Sequence, residues 1–364
     1  MNLQIETAKR KVIALTKRHS SSQEFRVALL DLLRSFFTID AACCSAVDPQ
    51  TLLSTGAVTE DGVEAIHHRL FENEYLSDDF NRYTQLAASS EPVAVLSQAT
   101  GGELVRSARY LDVLYPAGFT DELRAALKYD GACWGYLTLF RKGDQSFFNE
   151  EERELIASIG PLIAYHLRKT SLSLPADEHE WINDGPGIAV LSASLQVLSA
   201  NAIAEQWLIL LRKWESIDEH TLPRPIRAVC SRALSELSEH SAPSGHASMA
   251  KVCIRMPDGP YLALQASLMH GTSDIIHLAV WFEPAKPADM LPLVSEAYGL
   301  SEREKQILEG IVRGFSTKEL ASTYHISAYT VQDHLKSIFV KTGVTSRREL
   351  IWQLFSRFGV QAEK

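Results

Sequence analysis

The tightest constraint on this chain is a series of short, individually capped amphipathic segments in residues 298–355, YGLSEREKQILEGIVRGFSTKELASTYHISAYTVQDHLKSIFVKTGVTSRRELIWQLF. Ser301 with Glu304 three residues later is a capping box, which predicts a helix start. Ile307, Leu308, Ile311 and Val312 form its inner face, and Gly314 ends it. Ser316 or Thr317 opens a second short helix, Lys318 to Tyr324. After His325-Ile326, Ser327 caps a third helix that runs to about Thr342. Two helices joined by so short a turn make a helix-turn-helix. Leu320, Ala321, Ile326, Val331, Leu335 and Ile338 are spaced to pack them together, with Ala321 small where the helices approach.

The third helix leaves Tyr329, Gln332, Asp333, Lys336 and Lys341 on its outer face. The major groove of B-DNA, ~12 Å wide, admits one helix. There Gln332 suits adenine, Lys336 guanine and Asp333 the amino group of cytosine. Thr317, Lys318, Thr330, Arg347 and Arg348 sit at helix starts or carry charge, and with Tyr329 and Lys341 they suit phosphates. The competing account is a small helical bundle with solvated polar faces.

Charge supports contact with a polyanion only weakly. The chain holds 36 Lys/Arg and 45 Asp/Glu, net −9. Residues 295–364 hold ten and eight of these, net +2, which leaves 26 and 37, net −11, for the first 294. With 46% hydrophobic and 22% charged residues, the 364-residue chain is neither disordered, collagenous nor a disulfide miniprotein. Its length suits two or three domains. No apolar run reaches the ~18–20 residues of a membrane span, and the N-terminus lacks the features of a signal peptide. Five cysteines, an odd number, do not suggest a disulfide framework. The expectation is a cytoplasmic protein with reduced thiols.

Two stretches read as linkers. Residues 170–187 are rich in Ser, Pro, Asp and Gly, and residues 283–292 carry three prolines, which should block helix and sheet alike. The predicted organisation is a multidomain α+β chain: 1–172, a linker 173–187, 188–283, a Pro-rich linker 284–294, and an all-α tail 295–364.

In the first segment, helices are expected over 3–18 and 22–37, the latter with Phe25, Leu29, Leu32, Leu33 and Phe36 on one face. Strand-like runs follow at 41–47, 93–96, 122–128 and 133–140, the last two joined at Tyr129-Asp130-Gly131-Ala132, a hairpin signal. A long helix starts after Asn149, which pairs with Glu152, and presents Leu155, Ile156, Ile159, Leu162, Ile163 and Leu167. This order, and the run FFNEEERELIASIGPLIAYHLRK, resembles a GAF sensor domain. The Asn-Lys-x-Phe-Asp-Glu signature of cyclic-nucleotide-binding members is missing.

In the second segment, short strands are expected at Ile188–Leu191 and Leu195–Leu198, then a helix capped by Asn201 and another over 223–239. Strands at 249–256, 261–269 and 275–282 follow, the first two joined by the turn Pro257-Asp258-Gly259-Pro260. This is similar to a PAS-like module.

The tail resembles the LuxR-type DNA-binding domain over nearly all of 296–358. The matching residues are Leu300-Ser301-x-Arg303-Glu304, Gly314, Ser316-x-Lys318-Glu319-Leu320-Ala321, Ile326-Ser327, Thr330-Val331-x-x-His334, Lys341, Gly343-Val344 and Ser346-Arg347-x-Glu349. The resemblance implies that the third helix enters the major groove, with Gln332, Asp333 and Lys336 facing bases. Many members have Lys where this chain has Gln332, so the target sequence stays open. It also implies a fourth helix, about 346–357, whose Leu350, Ile351, Leu354 and Phe355 meet a second copy. The whole arrangement is similar to GAF-containing LuxR-type regulators. Double-stranded DNA and a homodimer are the implied partners, with a small-molecule ligand in the GAF-like domain and RNA polymerase left open. The start of the chain does not read as a phosphorelay receiver.

The sequence is compatible with three functions. The first is a transcriptional regulator controlled by its N-terminal domains. In the second, those domains serve only dimerisation or protein contact. The third is an enzyme in residues 1–283, for which the residues give little support. Gly101-Gly102-Glu103 is too short for a phosphate loop. His67-His68 with Glu72 and Glu74 reads as a solvated amphipathic helix rather than a metal site. Arg106, Arg109 and Tyr110 read as surface, and Cys43, Cys44 and Cys133 as buried and inert. No catalytic residue, cofactor or metal is expected.

Overall fold

The computed structural model describes residues 2–19, 21–143, 145–172, 185–237, 250–256, 261–270 and 275–358. By internal packing the chain divides into two units, Met1–Ser171 with Pro186–Val252 and Leu264–Phe282, and Leu172–Gly185 with Cys253–Ala263 and Glu283–Lys364. The expected turn at 257–260 and most of the expected linker 173–187 lie outside the described residues.

The chain begins with α1 (Asn2–Arg18) and α2 (Ser22–Leu33), followed by β1 (Ala41–Val47) and β2 (Ser54–Thr59). The short helices α3 (Asp61–Glu64), α4 (His67–Leu76) and α5 (Tyr83–Ala88) precede β3 (Val93–Val95) and α6 (Leu96–Ala99). β4 (Phe119–Tyr129), β5 (Ala132–Lys142) and α7 (Glu150–Ser171) complete the segment. The strands form one sheet in the order β2-β1-β5-β4-β3, every pairing antiparallel. Asp130 (φ 53°) and Gly131 (φ 84°) form the β4–β5 turn, and both have the positive φ that a tight hairpin demands.

α1, α2 and α7 pack on one side of this sheet through Phe25, Leu29, Leu33, Leu155, Ile156, Ile159, Ile163 and Leu167, all buried. Leu32, Phe36 and Leu162, expected on the same stripes, are half-buried. α2 ends at Leu33 instead of 37. The other side carries α3 to α5, with Val63 and Leu70 in one apolar cluster and Tyr83 and Leu86 in another. With both faces covered, β4 and β5 are buried almost throughout, which hides the alternation a half-exposed strand would show. β2, α3, α5 and α6 were not anticipated, because none has a long apolar period.

β6 (Gly187–Ser192) and β7 (Val197–Ala200) lead to α8 (Ala202–Glu215) and α9 (Arg224–Ser235). β8 (Lys251–Arg255), β9 (Tyr261–His270) and β10 (Ile276–Pro284) follow. Their sheet runs β7-β6-β10-β9-β8, the same ordering as the first. Asn201 caps α8, its side chain accepting from Ala204 N at 2.9 Å. The second strand starts two residues later than expected, because Leu195 (φ 60°) turns the chain. Val197 and Leu198 are exposed, not core.

The remaining helices are α10 (Pro287–Ala297), α11 (Glu302–Val312), α12 (Thr317–Thr323), α13 (Ala328–Thr342) and α14 (Arg347–Phe358). The expectation that prolines bar helix from 283–292 fails at α10. Pro287 occupies the first turn, where no N–H is needed, and Lys286 N donates to Asp289 Oδ2 at 2.9 Å. Pro292 inside the helix removes only the bond to Ala288.

Candidate nucleic-acid interface

Each helix of the tail starts on a side-chain cap. Ser301 N donates to Glu304 Oε2 (2.7 Å) and Glu304 N to Ser301 Oγ (3.4 Å). Ser316, rather than Thr317, caps α12, with the reciprocal pair to Glu319 at 2.6 and 3.3 Å. Thr330 N donates to Ser327 Oγ at 3.0 Å. Ile307, Leu308, Ile311, Leu320, Val331, Leu335 and Ile338 are buried as expected, while Val312, Ala321 and Ile326 are half-buried. Closest approach falls at Gly310, where a Cβ would lie 2.4 Å from Leu320 Cδ2. His325 (φ 53°) turns the chain between α12 and α13.

Gln332, Asp333 and Lys336 share the exposed face of α13. Lys336 Nζ lies 3.2 Å from Asp333 Oδ1, an exposed pair worth little by itself. Gln332 Nε2 reaches Thr317 Oγ1 at 3.4 Å, linking the face to the start of α12. Tyr329, Lys318 and Arg348 are exposed, and Thr317 and Thr330 are half-buried.

Two of the expected phosphate ligands are engaged within the protein. Lys341 Nζ bonds Gly299 O (2.9 Å) and Glu304 Oε2 (2.7 Å). Glu304 also accepts from Ser337 Oγ at 2.6 Å, so one buried carboxylate ties α11 to α13. Burial pushes its carboxyl up, but the bonds from Lys341, Ser337 and Ser301 outweigh this and hold it down at about 2. Arg347 Nη2 donates to Phe315 O. Sequence reasoning read Glu304 only as a cap and missed Ser337; the signal was Glu304 lying on the inner side of α11.

Leu350 and Leu354, expected to meet a second copy, are 1% and 3% exposed and belong to the tail's own core. α14 packs there on α10 and α13, neither of which entered that expectation as a partner. Ile351 is half-buried, the Phe355 side chain lies outside the described residues, and the exposed apolar residues nearby are Val340 and Trp352.

A second polar cluster lies in the first unit. Arg109, expected at the surface, is 0% exposed. Its Nε donates to Glu122 Oε2 at 3.0 Å, and its backbone N donates to Asp79 Oδ2 at 2.6 Å. Arg124 bonds the other Glu122 oxygen at 3.0 Å and Glu74 at 2.6 Å. Burial raises the Glu122 carboxyl, but the two guanidiniums outweigh it and bring it below the ordinary range. α4 is amphipathic as expected, yet His67 and Glu74 lie on its buried side; only His68 and Glu72 face outward. Arg106 is exposed and Tyr110 half-buried. Cys43, Cys44 and Cys133 are buried thiols, and burial pushes the latter two up to about 12. Among the described residues no group of three or more His, Cys, Asp or Glu could hold a metal. No described helix is long and apolar enough to cross a membrane.

This geometry defines a class: a helix-turn-helix with a capped, polar, outward-facing third helix. Residues 299–353 match the family model of bacterial regulatory proteins of the luxR family, so the tail is a LuxR-type helix-turn-helix domain. The transcriptional regulatory protein DesR of Bacillus subtilis is 40% identical over 65 residues, 18% of this chain and 33% of DesR. The monoamine regulon transcriptional regulator of Klebsiella aerogenes is 27% identical over 134 residues, 34% of this chain and 56% of that protein. The chain thus spans a third to about half the length of these curated relatives. Among solved structures, Escherichia coli SdiA aligns over 96% of both chains at 11% identity and a TM-score of 0.35. A Vibrio cholera VqmA–ligand–DNA complex aligns over 49% of this chain and 84% of its own at 20% identity and a TM-score of 0.21.

Proposed function

We propose that the chain is a sequence-specific transcriptional regulator that reads double-stranded DNA with α13. One observation carries this: Gln332, Asp333 and Lys336 stand together and exposed on the third helix of a LuxR-type domain, fixed by caps at Ser301, Ser316 and Ser327. Gln332, Asp333 and Lys336 read base edges. Lys318, Arg348, Tyr329, Thr317 and Thr330 meet phosphates, while Lys341 and Arg347 hold the domain together. A homodimer sets two such helices one DNA turn apart, ~34–36 Å, on a near-palindromic site. Since Leu350 and Leu354 are buried, Ile351 and Trp352 are what α14 offers a second copy. The segments 1–172 and 188–283 form GAF-like and PAS-like modules that sense a small molecule or partner, a change that acts by favouring one domain arrangement over another.

The test is fluorescence anisotropy of the full chain on duplexes chosen by repeated selection. Binding about 10³-fold tighter than to random duplex at physiological salt is expected. Equal affinity for selected and random DNA would overturn the reading.

A further inference from the structure

Between α4 and the first sheet lies a cavity of about 50 Å³. At ~10–15 Å³ for each water position, it has room for a few waters or one small ring. We propose that this cavity binds a small uncharged molecule carrying one ring and one hydroxyl-like group, seated against His67 and Ser54. The proposal rests on the sensing reading above and deepens it.

The walls set the shape. Phe71, Tyr75, Tyr83, Tyr136 and Phe140 line the space, with Tyr83 and Tyr136 stacked at 3.9 Å between centroids. Aromatic walls favour a flat apolar body. The one cation in the lining, Arg124, is committed to Glu122 and Glu74 and lies 4.7 Å over the Tyr83 ring. Glu122 in turn is shared with Arg109. Two guanidiniums and two carboxylates cancel, so an ionic ligand would arrive without a counter-ion.

The polar handle is the unmatched pair. His67 Nδ1 and Ser54 Oγ are buried in this lining and make no hydrogen bond. Buried polar atoms nearly always have a partner, so these two, one on α4 and one on β2, call for one. Burial first, then the nearby Arg224 and Arg227, keep the His67 imidazole well below its ordinary range, and therefore neutral. A neutral imidazole offers one donor and one acceptor, and a serine hydroxyl offers both. A ligand hydroxyl matches either tautomer.

The cavity is also placed to be noticed. α4 is also packed by α9. Arg232 sits 5.6 Å from the Tyr75 ring centroid, and Arg224 donates to Thr59 Oγ1 at 2.6 Å and to Glu64. A helix that lines the cavity is thereby gripped by the second segment.

The test titrates phenol, benzoate and benzylamine into the full chain, reading Tm and, in the same samples, affinity for the selected DNA. A saturable rise in Tm with phenol is expected, with none from the two ions. His67→Phe keeps a ring but loses the nitrogens, and should weaken phenol about tenfold, the loss of one hydrogen bond. Ser54→Ala gives a second readout should His67→Phe not fold. No saturable phenol shift, an equal shift from benzoate, or unchanged phenol affinity in the folded variant overturns the proposal. Phenol that binds without altering DNA affinity upholds the site and breaks the sensing reading. DNA affinity that answers another compound while phenol stays inert does the reverse.

Discussion

Glu122 in the first sheet and Glu304 in the helical tail are both buried carboxylates met by cations, yet they do different work. Glu122 is 1% exposed, held by Arg109 and Arg124, with Asn73, Asp79 and Glu74 around them. Arg124 is two residues along the same strand and Arg109 thirteen residues earlier, and Arg124 carries the network on to Glu74, 50 residues away. Glu304 is 4% exposed but lies at a rim: its cation, Lys341, is 34% exposed, and its nearest partner is three residues away. The first arrangement replaces part of an apolar core with charge. The second fastens two helices so that a third surface can stay polar and open. Depth of burial, rather than the number of bonds, should therefore decide how much each tolerates.

The largest expected effect follows from removing one cation at the deep site. Arg109→Ala leaves Glu122, and with it Phe80 O, short of a partner in the interior and should cost about 3–5 kcal/mol of stability. Chemical denaturation measures it; a loss below 1 kcal/mol would show that water reaches Glu122 and break the contrast. Glu304→Gln, at the rim, should cost less, about 1–3 kcal/mol, with hydrogen-exchange protection falling across α11 and α13. The pH dependence shares this origin. Because the Glu304 carboxyl is held at about 2, below its ordinary 4.5, its contribution is whole above about pH 4.5 and is lost as pH falls towards 2. In Glu304→Gln that part of the acid loss should vanish.

The same contrast explains what was readable in the residues. In the tail, the informative groups lie near their partners: Ser301 with Glu304, Ser316 with Glu319, Ser327 with Thr330. A period and a spacing were enough to place three helices and an outward face, and the family resemblance supplied the fourth. In the first segment the hairpin at Asp130-Gly131 and the cap at Asn149 were legible for the same reason. Arg109, His67 and Glu74 were read as surface, because nothing adjacent marks a charged residue as buried. Arg109 meets Glu122 13 positions away and Glu74 meets Arg124 50 positions away, while His67 Nδ1 has no hydrogen-bond partner at all. Leu350 and Leu354 failed differently. Their apolar stripe was seen, but the helix they cover, α10, had been excluded on account of its prolines.

Smaller effects separate reading from holding. Gln332→Ala should shift base preference at one position by about 1–3 kcal/mol and leave Tm unchanged, since Gln332 is exposed. The subtlest comparison sets Arg348 against Lys341, two cations that the sequence placed in the same role. Arg348 is exposed and free to release a counter-ion, so Arg348→Ala should lower the slope of log affinity against log salt by about 1. Lys341 already has Glu304 and Gly299 as partners. Lys341→Ala should therefore leave that slope nearly unchanged while lowering the stability of the tail. If instead the two variants lost equal slope, Lys341 would have to leave Glu304 for a phosphate on binding, and the carboxylate at the rim would be a switch rather than a fastening.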